Sequence, residues 1–422
     1  MKPPILRRGG QHQPVVHEYP QVLLSLDHTF VMSESLGPET GLTQAAITAL
    51  EPKLAAIQEQ MQDWRRESTY GFFDLPYDLE LVKEIKRLVK KYKEWHRDVL
   101  VLGIGGSALG AKALQQALCH PAHNRLAIGR RQYNCRLFVA DNIDPDDFYG
   151  MLDDLELKRT LVNVISKSGE TPETLAQFLF VYHLRGGRLG SEHTRESFLL
   201  TTDRQYGFDS LPVPANVGGR FSVLSAVGLF PAAMAGVDIE GVLAGARFMD
   251  QHLQSAPLSQ NLAFRLAALY YLAYQKGRTV QVLMPYASSL AGVADWFCQL
   301  WAESLGKKTA LDGSQVHTGP TPVRALGVTD QHSLLQLFME GPADKIITFL
   351  EVAKFKQDLT IPASFPDLEG LSYLAGHSFG GLLAAEKKAT AFNLMKAGRP
   401  NLTIGLPEIN AFTIGQVLYL LE

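Results

Sequence analysis

The chain has 422 residues, 46% of them hydrophobic, and a formal net charge of −3. That length suffices for two or three domains with substantial cores, and the mild acidity argues against a general pull toward nucleic acid or an anionic membrane. Cys119, Cys135 and Cys298 are few, odd in number and far apart, which argues against a disulfide framework or a Cys-x-x-Cys zinc motif and fits a reducing cytoplasm.

The first residues, MKPPILRRGGQHQ, carry positive charge without an apolar run behind it, so they do not read as a secretory signal. Residues 1–13 read as loose and 14–35 as an extended edge piece. Apolar side chains at Ile47, Leu50, Leu54, Ile57 and Met61 predict a helix over 43–67. Residues 78–96, DLELVKEIKRLVKKYKEWH, repeat that pattern with a basic outer face, read as a solvated helix surface and not a nucleic-acid site. Short apolar strands and helices then alternate: strand 98–103, helix 107–118, strands 136–141 and 160–166, helix 172–184, and strand 197–202. Residues 222–275 read as a long helical region. Its apolar run at 221–237 is short for a membrane span and holds two serines and a proline, as suits a buried helix. A second series comes next, with strand 279–285, helix 291–304, strands at 323–328 and 345–352, and helices 380–397 and 411–421. The predicted fold class is α/β: two three-layer α/β/α sandwiches with parallel-rich sheets, plus an N-terminal helical segment. The boundaries fall at 1–75, 76–235 and 236–422.

One loop gathers hydroxyls, an ammonium and a helix start. In NVISKSGETPET (163–174), the strand ends at Ser166, Thr171 suits an N-cap and Pro172 the first helical position. Free N–H groups and the positive dipole end there, with Ser166, Ser168, Thr171 and a mobile Lys167, describe a socket for a phosphomonoester at the carboxyl edge of a parallel sheet. The alternative is a loop whose hydroxyls merely cap and turn the chain. In VLGIGGSALG (101–110), Gly103, Gly105 and Gly106 allow close approach of a ligand, and Ser107 opens the helix. Its spacing departs from G-x-G-x-x-G, since Ala108 holds the third position, and Asp141 lies well beyond the ~20-residue offset, so no nicotinamide cofactor is expected.

A proton-moving group is sought near a charge stabiliser. In WFCQLWAESLGKK (296–308), Gln299 and Glu303 share a helix face. Apolar neighbours Trp296, Phe297, Leu300 and Trp301 and the helix C-terminus would favour the protonated carboxyl, a candidate general base; the alternative is a surface pair with Lys307. Arg220 in GGRFS (218–222) is placed to reach a bound anion, or is a surface-loop arginine. His332 in DQHS (330–333) is either functional or structural. His120 and His123 form an H-x-x-H with no carboxylate ligand nearby, so no metal is expected.

GIGGSALG, ISKSGETPET, GGRFSVLSAVGL, QLWAESLGKK and TPVRALGVTDQHSLLQLFMEGP together resemble the glucose-6-phosphate isomerase family, bacterial type, from about residue 95 onward. The resemblance implies two sugar-isomerase (SIS) domains, a cytoplasmic homodimer, a sugar phosphate as the small-molecule partner, and no metal or redox cofactor. It implies that Ser107, Ser166, Lys167, Ser168 and Thr171 hold the phosphate, and that Gln299, Gly105, Gly106 and Gly219 line the sugar pocket. Glu303 corresponds to the base between C1 and C2, Arg220 to the residue that stabilises a cis-enediolate, and His332 to a ring-opening histidine supplied by the partner subunit. The family pattern continues past FTIGQVLYLLE into an FDQPGVExGK-like tail, whose glutamine contacts substrate and whose lysine assists ring opening. This sequence stops at Glu422, and Lys387 and Lys388 lie in a helix, so the resemblance assigns no lysine here to ring opening. Two other expectations remain: a related isomerase acting on an amino sugar phosphate or mannose 6-phosphate, and a non-catalytic sugar-phosphate sensor.

Overall fold

The structure, a computed structural model, describes Tyr19 and residues 21–189, 194–203 and 207–422. The loose stretch expected over 1–13 lies outside the described residues. Two five-stranded sheets form the frame. The first uses β2 (Asp98–Leu102), β3 (Arg136–Ala140), β4 (Thr160–Ile165), β5 (Phe198–Thr201) and β6 (Asp209–Leu211), in the order β3-β2-β4-β5-β6, with every pair parallel. Strands β2, β4 and β5 are buried along their whole length, as expected of aliphatic runs covered on both faces by helices.

The second sheet has the same plan. Its strands are β7 (Val280–Pro285), β10 (Thr321–Arg324), β11 (Lys345–Lys354) and β12 (Asn401–Glu408), in the order β12-β11-β7-β10 and all parallel. In both sheets the first strand in sequence lies between the second and the third, so each has a switch point beside its first strand. An N-terminal strand, β1 (Ser25–Asp27), adds to β12 in antiparallel register. Among the described residues of the expected edge piece, only these three are strand; short helical turns at Thr29–Val31 and Ser33–Leu36 come after them.

Several boundaries move for local reasons. The helix expected over 43–67 is two helices, Gln44–Thr48 and Glu51–Arg66, divided before Pro52. The long region 222–275 is three, Ala226–Met234, Ile239–Ser255 and Leu262–Gln275. Gly236 at φ +93° and the Asp238 N-cap separate the first two, and Pro257 and the Asn261 N-cap separate the others. The strand expected at 323–328 begins earlier, at Thr321, because its register on β7 starts opposite Val280. The helix Pro145–Asp153, strands β6 and β12, and an exposed hairpin of β8 (Lys307–Thr309) and β9 (Gln315–Thr318) were not foreseen.

Two helices bring the candidate residues together. One, Gly106–Leu118, leaves β2; the other, Ala291–Leu305, leaves β7. They pack on each other: a methyl at Gly292 would press on Ala113 and Gln116, while the glycine turn at the start of the first helix lies against Gln299. The two helices therefore run antiparallel, the start of each beside the second half of the other. Among the described residues, no helix is long and apolar enough to cross a membrane.

Candidate active site

The switch point of the first sheet lies between β2 and β4, and the loops leaving these strands are the glycine turn and the serine-rich turn. Gly105 adopts φ +57° and caps the helix Gly106–Leu118, a backbone state that an L side chain resists. In the other loop, the hydroxyls of Ser166 and Thr171 are 3.1 Å apart, and the Gly169 amide donates to Ser166 Oγ at 3.1 Å. The Glu170 amide donates to Ser168 Oγ at 3.2 Å. Gly169 turns at φ +68°, and the Thr171 carbonyl accepts the Leu175 amide as the helix Pro172–Leu189 begins. Among the described residues, the backbone amides of Lys167 and Ser168 make no hydrogen bond. Free amides, hydroxyls and a helix start at a sheet's carboxyl edge are groups suited to receiving an anion. The Lys167 ammonium is not mobile as expected. It donates to the carbonyls of Ala215 at 2.7 Å and Val217 at 2.8 Å, tying this turn to the loop that carries Arg220.

That second loop closes on the glycine turn. A methyl on Gly106 would run into the Gly219 carbonyl, so the two backbones touch. Arg220 lies in a short 3-10 turn, Gly219–Phe221, with its Nε donating to Ser304 Oγ at 2.7 Å. Its Nη1 is 3.8 Å from Glu303 Oε2, and Gln299 Nε2 donates to Glu303 Oε1 at 3.0 Å. A methyl on Gly105 would meet the same Gln299 carboxamide, whose buried Oε1 has no hydrogen-bond partner among the described residues. Carboxylate and carboxamide from one helix thus converge with a guanidinium from a distant loop beside two glycine turns.

The surroundings of Glu303 differ from expectation. Trp296, Phe297 and Leu300 point into the core, whereas the Glu303 side chain is 52% exposed in this chain. The helix is amphipathic, and its glutamine and glutamate occupy the face turned from the core. Lys307 does not pair with that carboxylate; its Nζ lies 3.5 Å from the Glu303 carbonyl, at the helix end. His332 is exposed at the end of the 3-10 turn Thr329–His332 beyond β10, and makes no contact with the other candidates among the described residues. His123 bonds the Cys135 carbonyl, and His120 accepts the Ala122 amide, so backbone groups engage both rings of the H-x-x-H.

Ser304, Phe221 and Phe72 were missed by sequence reasoning. Ser304 directly succeeds the candidate base, but nothing in AESLG marks it as the partner of a distant arginine. An apolar cavity of about 650 Å³ lies behind these residues, lined by Phe72, Phe221, Tyr270, Trp301 and Ser304. Arg65 and Glu422 also line it, but among the described residues no ion pair joins them, and Arg65 pairs with Asp250 instead.

Comparison with known proteins bears on the chain as a whole. Residues 89–422 match the family model described as phosphoglucose isomerase. A relative named glucose-6-phosphate isomerase from Carboxydothermus hydrogenoformans is 41% identical over 406 residues, covering 94% of this chain and 86% of the relative. Another of that name from Rubrobacter xylanophilus is 40% identical, covering 94% of this chain and 91% of the relative. A solved structure of a hypothetical protein from Thermus thermophilus superposes with a TM-score of 0.83 at 34% identity, over 94% of this chain and 92% of that one. A glucose-6-phosphate isomerase from Chlamydia trachomatis shares the fold, with a TM-score of 0.71 at 22% identity, over 81% of this chain and 67% of that one.

Proposed function

The chain belongs to the phosphoglucose isomerase family, and from that premise we propose that it interconverts glucose 6-phosphate and fructose 6-phosphate through a cis-enediolate, with Glu303 as the base. The observation that carries the residue assignment is the approach of Glu303 to Arg220 at 3.8 Å, next to an anion-binding turn.

A proton alpha to a carbonyl is weakly acidic, so a carboxylate alone moves it slowly. Glu303 takes the proton from one carbon of the C1–C2 pair and the electron pair moves onto the carbonyl oxygen; the hydroxyl proton passes from the other oxygen to that one, which makes the other oxygen the new carbonyl, and the same carboxyl returns its proton to the neighbouring carbon. Arg220 meets the negative charge that develops on the oxygens between these steps. General-base help contributes about 10²–10⁴-fold. Loss of one well-placed electrostatic donor costs about 10²–10³-fold. Gln299 orients the carboxylate, and with Gly105, Gly106 and Gly219 it lines the sugar chain. Ser107, Ser166, Ser168, Thr171 and the backbone of Lys167 hold the phosphate, whose binding energy orients carbons it does not touch. Among the described residues His332 has no site partner, so the proposal includes a homodimer in which the partner's His332 serves ring opening.

The test is appearance of fructose 6-phosphate from glucose 6-phosphate, with exchange of the C2 hydrogen into solvent. Glu303→Gln is expected to lower kcat by at least about 100-fold with little change in KM. An unaltered rate in that variant removes Glu303 as the base. Saturable fructose 6-phosphate binding by the unmodified protein without turnover or exchange removes the catalytic reading altogether.

A further inference from the structure

We propose that residues 68–73, which precede the family match, form a positioning element for Arg220, with Phe72 as its acting residue. The inference rests on the reading that Arg220 meets the enediolate. The Arg220 loop has no regular structure of its own before the short 3-10 turn at Gly219, so its position is set by what grips it.

Three consecutive carbonyls of that loop are bonded from outside. Lys167 takes those of Ala215 and Val217, and the Gly71 amide donates to that of Asn216 at 3.0 Å. Asn216 returns a bond from its Nδ2 to the Ser68 carbonyl at 2.8 Å. Gly71 has no room for a side chain, since a methyl would overlap the Asn216 carboxamide. Next in sequence, the Phe72 ring stacks on Phe221, with centroids 4.9 Å apart and planes 17° from parallel. The Arg220 guanidinium carbon lies 4.8 Å from the centre of that Phe221 ring. The guanidinium is therefore fixed between Ser304 and an aromatic ring that Phe72 holds in place.

The grip is itself anchored. Phe73 packs under the Arg65 guanidinium at 4.2 Å, and Arg65 pairs with Asp250, which is fully buried. Asp250 also accepts from Tyr77 at 2.7 Å and from Gln254 at 2.6 Å. Among the described residues the aromatic contacts of Phe72 run to Phe73 and Phe221, so its route to the reaction is through Phe221 and Arg220. Displacing a charge stabiliser by about 1 Å can cost about 10²-fold in rate without a loss of ground-state binding.

The experiment compares Phe72→Ala, Phe72→Trp, Arg220→Ala and the double variant Phe72→Ala with Arg220→Ala. Phe72→Ala is expected to lower kcat about 10- to 100-fold. Its KM for fructose 6-phosphate and its Kd for inorganic phosphate should stay within about threefold. Phe72→Trp, which keeps a flat ring against Phe221, should restore most of kcat. The double variant should be no slower than Arg220→Ala alone. Leu394→Ala removes a fully buried side chain from the packing around Phe338 and Phe349, away from residues 68–73, and should lower Tm while leaving kcat intact. A normal kcat in folded Phe72→Ala, multiplicative losses in the double variant, or an equal loss of kcat in Leu394→Ala each overturns the proposal while leaving Arg220 in its role. A normal kcat in Arg220→Ala overturns both that role and the positioning built on it.

Discussion

Glu303 and Gln299 are four residues apart on one helix, and that spacing alone predicts that they share a face. What lies opposite them is not a matter of spacing: Arg220 arrives from a loop 83 positions earlier, and Ser304 receives its Nε. His96 makes the same point away from the site. It comes just after the basic helix 79–93 and looks like an exposed end residue, yet it is buried, with Nδ1 3.0 Å from the Tyr92 carbonyl. Burial pushes its pKa down to about 4, against the help of that hydrogen bond and aided by Arg185, Arg159 and Arg97. The unfolded chain takes up this proton near pH 6.5 while the folded chain still refuses it. The group's stabilisation is therefore complete above about pH 6.5 and is lost on acidification toward about pH 4, by up to ~3 kcal/mol. Urea unfolding at pH 7.5 and 4.5 should show a smaller acid loss in His96→Phe than in the wild type. Equal losses would dismiss His96 as a contributor. Its burial was not legible in the sequence, because a residue just past an amphipathic helix can face either way.

At the scale of elements, the strands that carry the site loops were legible because both are long aliphatic runs ending in turn residues. Strand β12 was not: NLTIGLPE mixes polar and apolar residues and holds a glycine and a proline. It is a strand because β11 on one side and β1 on the other supply its ladder. Strand β6, Asp209–Leu211, is likewise made by its neighbour β5. The C-terminal helix Ala411–Leu421 is apolar all round and buried all round, and it crosses the helix Ile239–Ser255 at glycines. A methyl at Gly415 would strike the Val242 carbonyl, and one at Gly245 the Phe412 carbonyl. Gly415→Ala is thus expected to lower unfolding stability by about 1–3 kcal/mol despite its better helix propensity. A lower denaturation midpoint at constant m-value would show this; an unchanged or higher midpoint would mean that the helices part at no cost.

Across the whole molecule, two sheets of one plan each send their first strand into a helix, and these two helices lie antiparallel against each other. The serine-rich turn belongs to the first sheet's switch point and Glu303 to the helix that follows the second sheet's strand β7, so the candidate site draws on both sheets. His332 lies beyond the second sheet's edge strand and finds no site partner among the described residues. In a two-fold dimer, each site would draw that histidine from the other copy. Mixing inactive Glu303→Gln with inactive His332→Ala under exchange conditions should then restore activity. In a statistical mixture, half of the dimers are hybrids and each has one intact site, giving about a quarter of wild-type activity. No restoration after proven subunit exchange would place His332 in its own chain's site or outside the reaction.

From sequence alone came the α/β class, the repeated series of strands and helices, the two site loops and the residue types suited to proton transfer beside a phosphate. These are properties of short windows, set by hydrophobic periodicity, turn chemistry and helix-end signals. Tertiary structure decided which windows meet: that Lys167 grips the Arg220 loop, that Ser304 receives the guanidinium, and that Phe72 backs Phe221. Such pairings depend on how whole helices and sheets pack, and packing is set by the sum of many contacts far apart in the chain, which no local pattern encodes.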